Sequence, residues 1–359
     1  MHSGQEAPNT VLVVGGAGYV GSHTCKALHQ AGYAPVVFDN LSRGHAGAVK
    51  WGPLIIGDIL DLPALQAVMV EVRPLAVLHF AAFAYVGESM AQPAQYFRNN
   101  VVGTLNLLDA LRGMPEEQRR LVFSSSCAVY GGIHHHPIDE TTPLQPASTY
   151  GNTKRICEDA IADYARSYGV SAIALRYFNA AAADPDGELI EDHAPEPHII
   201  PTVLRVAAGL EPQVVINGTD HPTPDGTCVR DFVHVSDLAR AHVAAVKRLE
   251  QAERPAFEAF NLSAGLGASL NGIVESARRV TGRPIPVTYG PKRAGDPPYA
   301  VGRGDRAAAA LHWTPRFTDL DQLVADAWAR YQNAHPLFGG YTADATADRP
   351  AFSASHVAR

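Results

Sequence analysis

Thr10-Val11-Leu12-Val13-Val14-Gly15-Gly16-Ala17-Gly18-Tyr19-Val20-Gly21 passes from a short apolar, β-branched run directly into spaced glycines, and a helical pattern follows to about Ala31. The run reads as a buried parallel strand. Gly15, Gly18 and Gly21 permit a tight turn, close approach to the backbone and tight helix-to-strand packing, which bring a pyrophosphate onto the N-terminus of the helix. A second strand over 35–38 ends in Asp39, at about the distance expected for an acid that binds a ribose. A carboxylate there accepts from a 2′-hydroxyl and repels a 2′-phosphate, so the segment predicts a dinucleotide site that prefers NAD to NADP.

Outward from this segment the alternation continues, with a strand over 54–56, a helix over 61–72, a strand over 75–80, a long helix over 94–111 and strands over 120–124 and 171–176. The pattern predicts an α/β fold built on a doubly wound parallel sheet, the Rossmann arrangement. Gly15, Asp39, Gly57-Asp58, Phe80-Ala81-Ala82, Ser124-Ser125-Ser126 and Tyr177-Phe178-Asn179 each follow the carboxyl end of an expected strand, the edge where ligands bind in open α/β sheets. Asp58 could accept from an adenine amino group, its ordinary alternative being a turn or cap role. Asn100, inside the long helix, could support the backbone beneath a nicotinamide. Residues 184–197, rich in Asp, Glu and Pro, mark a boundary. The expected division is a Rossmann domain at 1–183, a smaller α/β domain at 184–344 with residues near 228–245 returning to the first, and a tail at 345–359.

Ser148-Thr149-Tyr150-Gly151-Asn152-Thr153-Lys154 opens a helical pattern to about Tyr168 and places Tyr150 and Lys154 on one face. A nearby ammonium favours the phenolate over a phenol that titrates near pH ~10, which makes Tyr150 a possible base. Ser126, 24 residues earlier, ends the fifth strand and could relay the proton of a sugar hydroxyl held between the two. His134-His135-His136 cannot converge on one ion from adjacent loop positions, so no metal is expected. A net charge of −7 leaves no surplus of cations for a nucleic-acid backbone. Cys25, Cys127, Cys157 and Cys228 form no CxxC pair and read as free thiols of a reducing compartment. Without an apolar run of membrane-spanning length or a leader pattern, the expectation is a cytoplasmic protein with no membrane partner.

With these residues in place the chain resembles the extended short-chain dehydrogenase/reductase family, and within it the UDP-glucose 4-epimerases. His79-Phe80-Ala81-Ala82, Val86-Gly87-Glu88-Ser89, Leu175-Arg176-Tyr177-Phe178-Asn179, Pro222-Thr223-Pro224-Asp225-Gly226-Thr227 and Val229-Arg230-Asp231-Phe232-Val233-His234-Val235 are similar to that family's segments, and the likeness runs from about residue 10 to 335. The resemblance implies a tightly bound, unconsumed NAD held by Gly15, Gly18, Tyr19, Val20, Gly21, Asp39, Asn40, Asp58, Ile59, Phe80, Ala81, Ala82, Asn100, Ser124, Tyr150, Lys154 and Tyr177. It implies a UDP-sugar in the second domain, near Ser126, Tyr150, Asn179, His198, Ile199, Asn217, Arg230, Arg293, Asp296 and Ala300. Among these, Arg230 and Arg293 would meet the phosphates, Asn179 the pyrophosphate and sugar region, and Asp296 the uridine ribose. Guanidinium forks suit that task in an acidic protein. Tyr150, Lys154 and Ser126 would be the catalytic set, inverting C4 through a 4-keto intermediate. The resemblance also implies a homodimer, formed through helices near 94–112 and 150–168.

Several positions depart from the commonest family pattern: Ala84 stands where Lys is frequent, Cys127 and Ala128 where Ala and Thr are, Asn217 where an aromatic is, and His198 where Asn is. They leave open UDP-GlcNAc/UDP-GalNAc, for which the small Ala300 makes room, and UDP-xylose/UDP-arabinose. A nucleotide-sugar 4,6-dehydratase needs an acid and a base beside the serine, and Ser126-Cys127-Ala128 offers neither. A ketoreductase with exchangeable cofactor and a non-catalytic NAD-sensing scaffold are the remaining alternatives.

Overall fold

The computed structural model describes residues 9–132, 137–292 and 297–334. His134, His135 and His136, Arg293, Asp296 and the tail at 345–359 lie outside the described residues. In the first half, strands β1 (Thr10–Val14), β2 (Ala34–Asp39), β3 (Leu54–Ile56), β4 (Ala76–His79), β5 (Arg120–Ser126) and β6 (Ser171–Tyr177) alternate with helices α1 (Tyr19–Gln30), α2 (Leu62–Val72), α3 (Val86–Ala91), α4 (Pro93–Tyr96), α5 (Gly103–Arg112) and α6 (Thr149–Tyr168). The second half adds β7 (Asn179–Ala181), α7 (Ile199–Ala207), β8 (Val214–Asn217), β9 (Val229–His234), α8 (Val235–Glu250), β10 (Phe257–Leu262), β11 (Gly267–Ser269), α9 (Leu270–Thr281), β12 (Val287–Gly290), β13 (Tyr299–Ala300), α10 (Asp305–Leu311) and α11 (Leu320–Ala334).

Seven strands form one parallel sheet in the order β10-β6-β5-β4-β1-β2-β3. Residues 11–14 of β1 are wholly buried. With side chains alternating between faces, Val11 and Val13 join a core that includes α1 and α8, while Leu12 and Val14 join one that includes α2, α5 and α6. The strand order reverses at β1, whose neighbours are β2 and β4, and the crevice there opens at the strands' carboxyl ends.

The second half has its own core, around Ile200, Leu204, Ile216, Ile273 and Trp328. Its small sheet centres on β9, which pairs with β7, β11 and β13, while β8 pairs with β12. Residues 228–245 divide: β9 stays in this small sheet, and α8 packs across α1. A later element, β10, completes the seven-stranded sheet. The helix expected over 94–111 is interrupted by a π-helical turn, Phe97–Val102, between α4 and α5. The wider turn carries Asn99 and Asn100, and such turns gather at functional positions. No helix among the described residues is long and apolar enough to cross a membrane.

Candidate active site

The glycine turn is fixed by sterics. Gly15 adopts φ +83°, and a Cβ there would stand 2.4 Å from the Ala81 amide nitrogen, so β1 and the loop after β4 close only around glycine. A Cβ at Gly21 would lie 2.4 Å from the Gly15 carbonyl oxygen. At Gly18 it would make only an ordinary contact at 3.4 Å, so that position is open toward the crevice rather than packed shut. Gly18 is also the N-cap of α1 and supplies no side chain to it, leaving the helix's first amides for an anion. Tyr19 and Val20 are the first residues of that helix.

Gly15, Gly18, Asp39, Asn40, Ile59, Phe80, Ala81 and Ala82 all line one cleft. Asp39 Oδ2 accepts from the Ala17 amide at 3.0 Å and Oδ1 from Leu41 at 2.8 Å. Burial raises its pKa against the pull of those two amides. Asn40 donates to Asp58 Oδ2 at 2.9 Å, and Asp58 Oδ1 accepts from the Leu60 amide at 2.8 Å, so Asp58 has a turn role besides facing Asn40. Asn100 clamps the backbone of Phe83, accepting from its amide at 2.8 Å and donating to its carbonyl at 3.0 Å, and reaches Thr153 of α6 at 3.1 Å. The uncapped helix end, the open glycine turn and the carboxylate on the neighbouring strand together fit the pyrophosphate and ribose of a dinucleotide.

Helix α6 begins at Thr149 because the Ser148 hydroxyl caps it, accepting from Gly151 at 3.1 Å. Ser89 Oγ accepts from the Tyr150 amide at 3.1 Å. Tyr150, Lys154 and Ser126 are all buried, and the Ser126 hydroxyl lies close enough to the phenol to affect its titration. Lys154 Nζ donates to the Ser124 carbonyl at 2.7 Å and lies 5.9 Å from the centre of the Tyr150 ring, while the Ser124 hydroxyl meets Tyr177 at 2.7 Å. The expectation that Lys154 lowers the Tyr150 pKa is corrected here: burial pushes the phenol well above its ordinary value, the Tyr177 phenol adds to the rise and the Ser126 hydroxyl opposes it. Burial also brings Lys154 down to about 8. Low polarity disfavours both charged forms, and an ammonium bonded to the Ser124 carbonyl, 5.9 Å from the ring centre, does not offset that for the phenol.

Two supports escaped the sequence. Ser89, within Val86-Gly87-Glu88-Ser89, had no chemical signature of its own. Glu158, one turn beyond Lys154, bonds Ser125 and pairs with Arg176 under the strand ends; its i,i+4 spacing from Lys154 was the available signal.

The second half carries the other expected contacts. Asn179 donates to the Asp231 carbonyl at 2.8 Å, and Arg230 donates to the carbonyls of Val229 and Pro297 at 2.9 and 2.8 Å. Ala300 pairs with Arg230 in register. Below them the Asp231 carboxylate, brought up to about 6 by burial, accepts from the Ser263 hydroxyl and the amides of Ala264, Gly265 and Gly302. His198 and Ile199 stand at the start of α7, and Asn217 ends β8 beside Gly290. The acidic 184–197 segment is more than a boundary: Lys26 holds Asp184, Lys50 donates to the Glu188 carbonyl at 2.7 Å, and His45 meets the Asp192 carbonyl at 3.1 Å. All four cysteines are free.

The sequence model of the NAD dependent epimerase/dehydratase family matches residues 11–263. UDP-glucose 4-epimerase of Rhizobium leguminosarum bv. trifolii is 45% identical over 322 residues, covering 90% of this chain and 97% of the relative. Among solved structures, UDP-glucose 4-epimerase from Brucella ovis in complex with NAD is 50% identical, with a TM-score of 0.86 over 90% of this chain and 98% of that one. UDP-glucose-4-epimerase from Stenotrophomonas maltophila with bound NAD and formylated UDP-arabinopyranose is 37% identical, with a TM-score of 0.85 over the same shares, 90% and 98%. A match running from the first strand of the main sheet to its last, joined to likeness over nine-tenths of the chain, places this protein: it belongs to the NAD dependent epimerase/dehydratase family.

Proposed function

We propose that the protein inverts C4 of a UDP-hexose, interconverting UDP-galactose and UDP-glucose with tightly held, unconsumed NAD. The observation that carries the reading is the buried Tyr150, Ser126 and Lys154 set at the carboxyl end of β5, with Arg230 close enough to Cys127, next to Ser126, to act on its thiol. Bound NAD supplies the hydride acceptor and donor for C4 and a positive charge beside the phenol. Tyr150 takes the O4 proton, directly or through Ser126, and returns it after the sugar has turned over. Lys154, at about 8, is still mostly charged at neutral pH and stabilises the deprotonated phenol. Anchoring through the UDP alone leaves the 4-keto sugar free to present its other face. Arg230 and Arg293 hold the phosphates, Asp296 the uridine ribose, and Asn179, His198, Ile199 and Asn217 the rest of the ligand.

In this reading residues 1–183 serve mainly NAD and residues 184–344 mainly the UDP-sugar, with α8 and β10 returning to the first unit. Homodimerisation is supported by Val86, Met90, Phe97, Val102 and Tyr168, large apolar side chains left exposed on and beside the helices of that face. Free thiols support a reducing, cytoplasmic setting. Ala300 beside Arg230 favours one second reading, in which the pocket also takes the acetamido group of UDP-GlcNAc and UDP-GalNAc. Comparing kcat/KM for the hexose, N-acetylhexosamine and pentose pairs decides the range. Incubation with UDP-galactose and no added cofactor, followed by NMR, tests the main reading. Formation of UDP-glucose supports it; no product from NAD-loaded protein overturns it and turns attention to UDP-pentoses and then to dehydration.

A further inference from the structure

Four side chains of the segment that straps the cleft converge on one point. His198 Nδ1 lies 2.8 Å from Glu196 Oε1 and 2.9 Å from Glu191 Oε1. His193 Nδ1 lies 3.4 Å from Glu191 Oε1 and 3.5 Å from Glu196 Oε2. One ligand atom from each residue can be chosen so that all four fall within 4.8 Å of one another. The two carboxylate side chains are nearly withdrawn from water, at 7% and 8% exposure. His193 Nδ1 is buried and faces both carboxylates at ion-pair distance without a well-formed hydrogen bond to either. Around a tetrahedral ion with ligands at about 2.0–2.1 Å, neighbouring donor atoms stand roughly 3.3–3.4 Å apart, close to the two His193 separations.

We propose that Glu191, His193, Glu196 and His198 bind one divalent transition-metal ion of the zinc type, His198 through the Nδ1 that faces the carboxylates, so that only its Nε2 is left for the UDP-sugar. Two imidazoles and two carboxylates form a borderline nitrogen and oxygen donor set that suits zinc or cobalt better than calcium or magnesium. The sequence offered no such reading because the four residues come from a Pro-containing loop with no helical spacing. The neighbouring group of Asp184, Asp186 and Glu188 differs in kind, since Lys26 Nζ already sits among its carboxylates at 2.6–2.7 Å. The His193 ring is 6.1 Å from Tyr19, at the start of α1, and 5.9 Å from Tyr85, in the loop after β4. The ion would therefore stiffen the strap where the His193 ring packs against both tyrosines, and through that packing slow escape of the dinucleotide. That last consequence rests on the NAD reading; the ion site does not.

The test strips the purified full-length protein with EDTA, dialyses it, and titrates it with ZnCl2 by calorimetry and with CoCl2 by visible absorption. Expected are one saturable ion per chain, a tetrahedral cobalt spectrum, and binding weakened by at least ~10–100-fold in His193→Asn and in Glu191→Gln. A variant with His134, His135 and His136 all changed to Ala keeps the site and removes adventitious binding. Circular dichroism verifies folding of each variant. No saturable ion, or equal binding by folded His193→Asn and Glu191→Gln, overturns the site and leaves an ion-pair cluster only. Release of bound NAD, followed by fluorescence, is expected to quicken several-fold after chelation. Unchanged release with an ion demonstrably bound overturns the stiffening role alone.

Discussion

Two buried cations sit beneath the strand ends, Lys154 on α6 and Arg176 on β6, and they are treated in opposite ways. Among the described residues Lys154 hydrogen-bonds only the Ser124 carbonyl, and burial brings it down to about 8. Arg176 meets both oxygens of Glu158 and the Tyr130 hydroxyl, and those partners outweigh burial and hold its pKa above the ordinary value. The difference separates a charge that can respond from one that is locked. A titratable ammonium beside a phenol can adjust as a proton comes and goes, whereas a paired guanidinium fixes the strands on which that chemistry stands.

The largest test of the responsive side is Tyr150→Phe, which is expected to lower kcat by about 10³-fold with bound NAD and fold retained. Near-wild-type turnover measured by NMR would break the assignment. On the locked side, Glu158→Gln leaves a guanidinium buried without its counter-charge and should cost on the order of 3–5 kcal/mol in urea unfolding. A cost within error would mean that Arg176 finds other partners. Wild-type activity is expected to fall as pH rises through about 8, and Lys154→Met should lower kcat by about 10²-fold and remove that fall.

The same residue gives a signed stability prediction. The folded pKa of Lys154 is below that of the unfolded chain, so the unfolded state binds more protons between about 8 and ~10.4, and wild-type stability rises with pH across that window. Lys154→Met should lack this contribution in urea titrations from pH 7 to 10. The smallest effect is expected at Arg43, held by Glu88 at 2.7 and 2.9 Å and stacked over Phe83 and Tyr85. Glu88→Gln should free it toward a 2′-phosphate and tighten NADP binding a few-fold, read by fluorescence titration, while Asp39 keeps NAD preferred.

The first half was far more legible than the second. Its strands are apolar runs buried on both faces, and its turns demand glycine or an acid at particular places, so local pattern and tertiary role coincide in Gly15, Gly21 and Asp39. The second half is made of short pieces. Strands β7, β11 and β13 hold two or three residues each and acquire meaning only by pairing, directly or side by side, with β9.

By itself the sequence determined the parallel sheet, the dinucleotide turn and the shared face of Tyr150 and Lys154, because each depends on spacing within one or two elements. Tertiary structure alone decided the protonation balance of that pair, the burial of Glu158 against Arg176, and the meeting of Glu191, His193, Glu196 and His198 over the cleft. Desolvation and convergence depend on what other parts of the chain bring to the same point, and no local spacing encodes that.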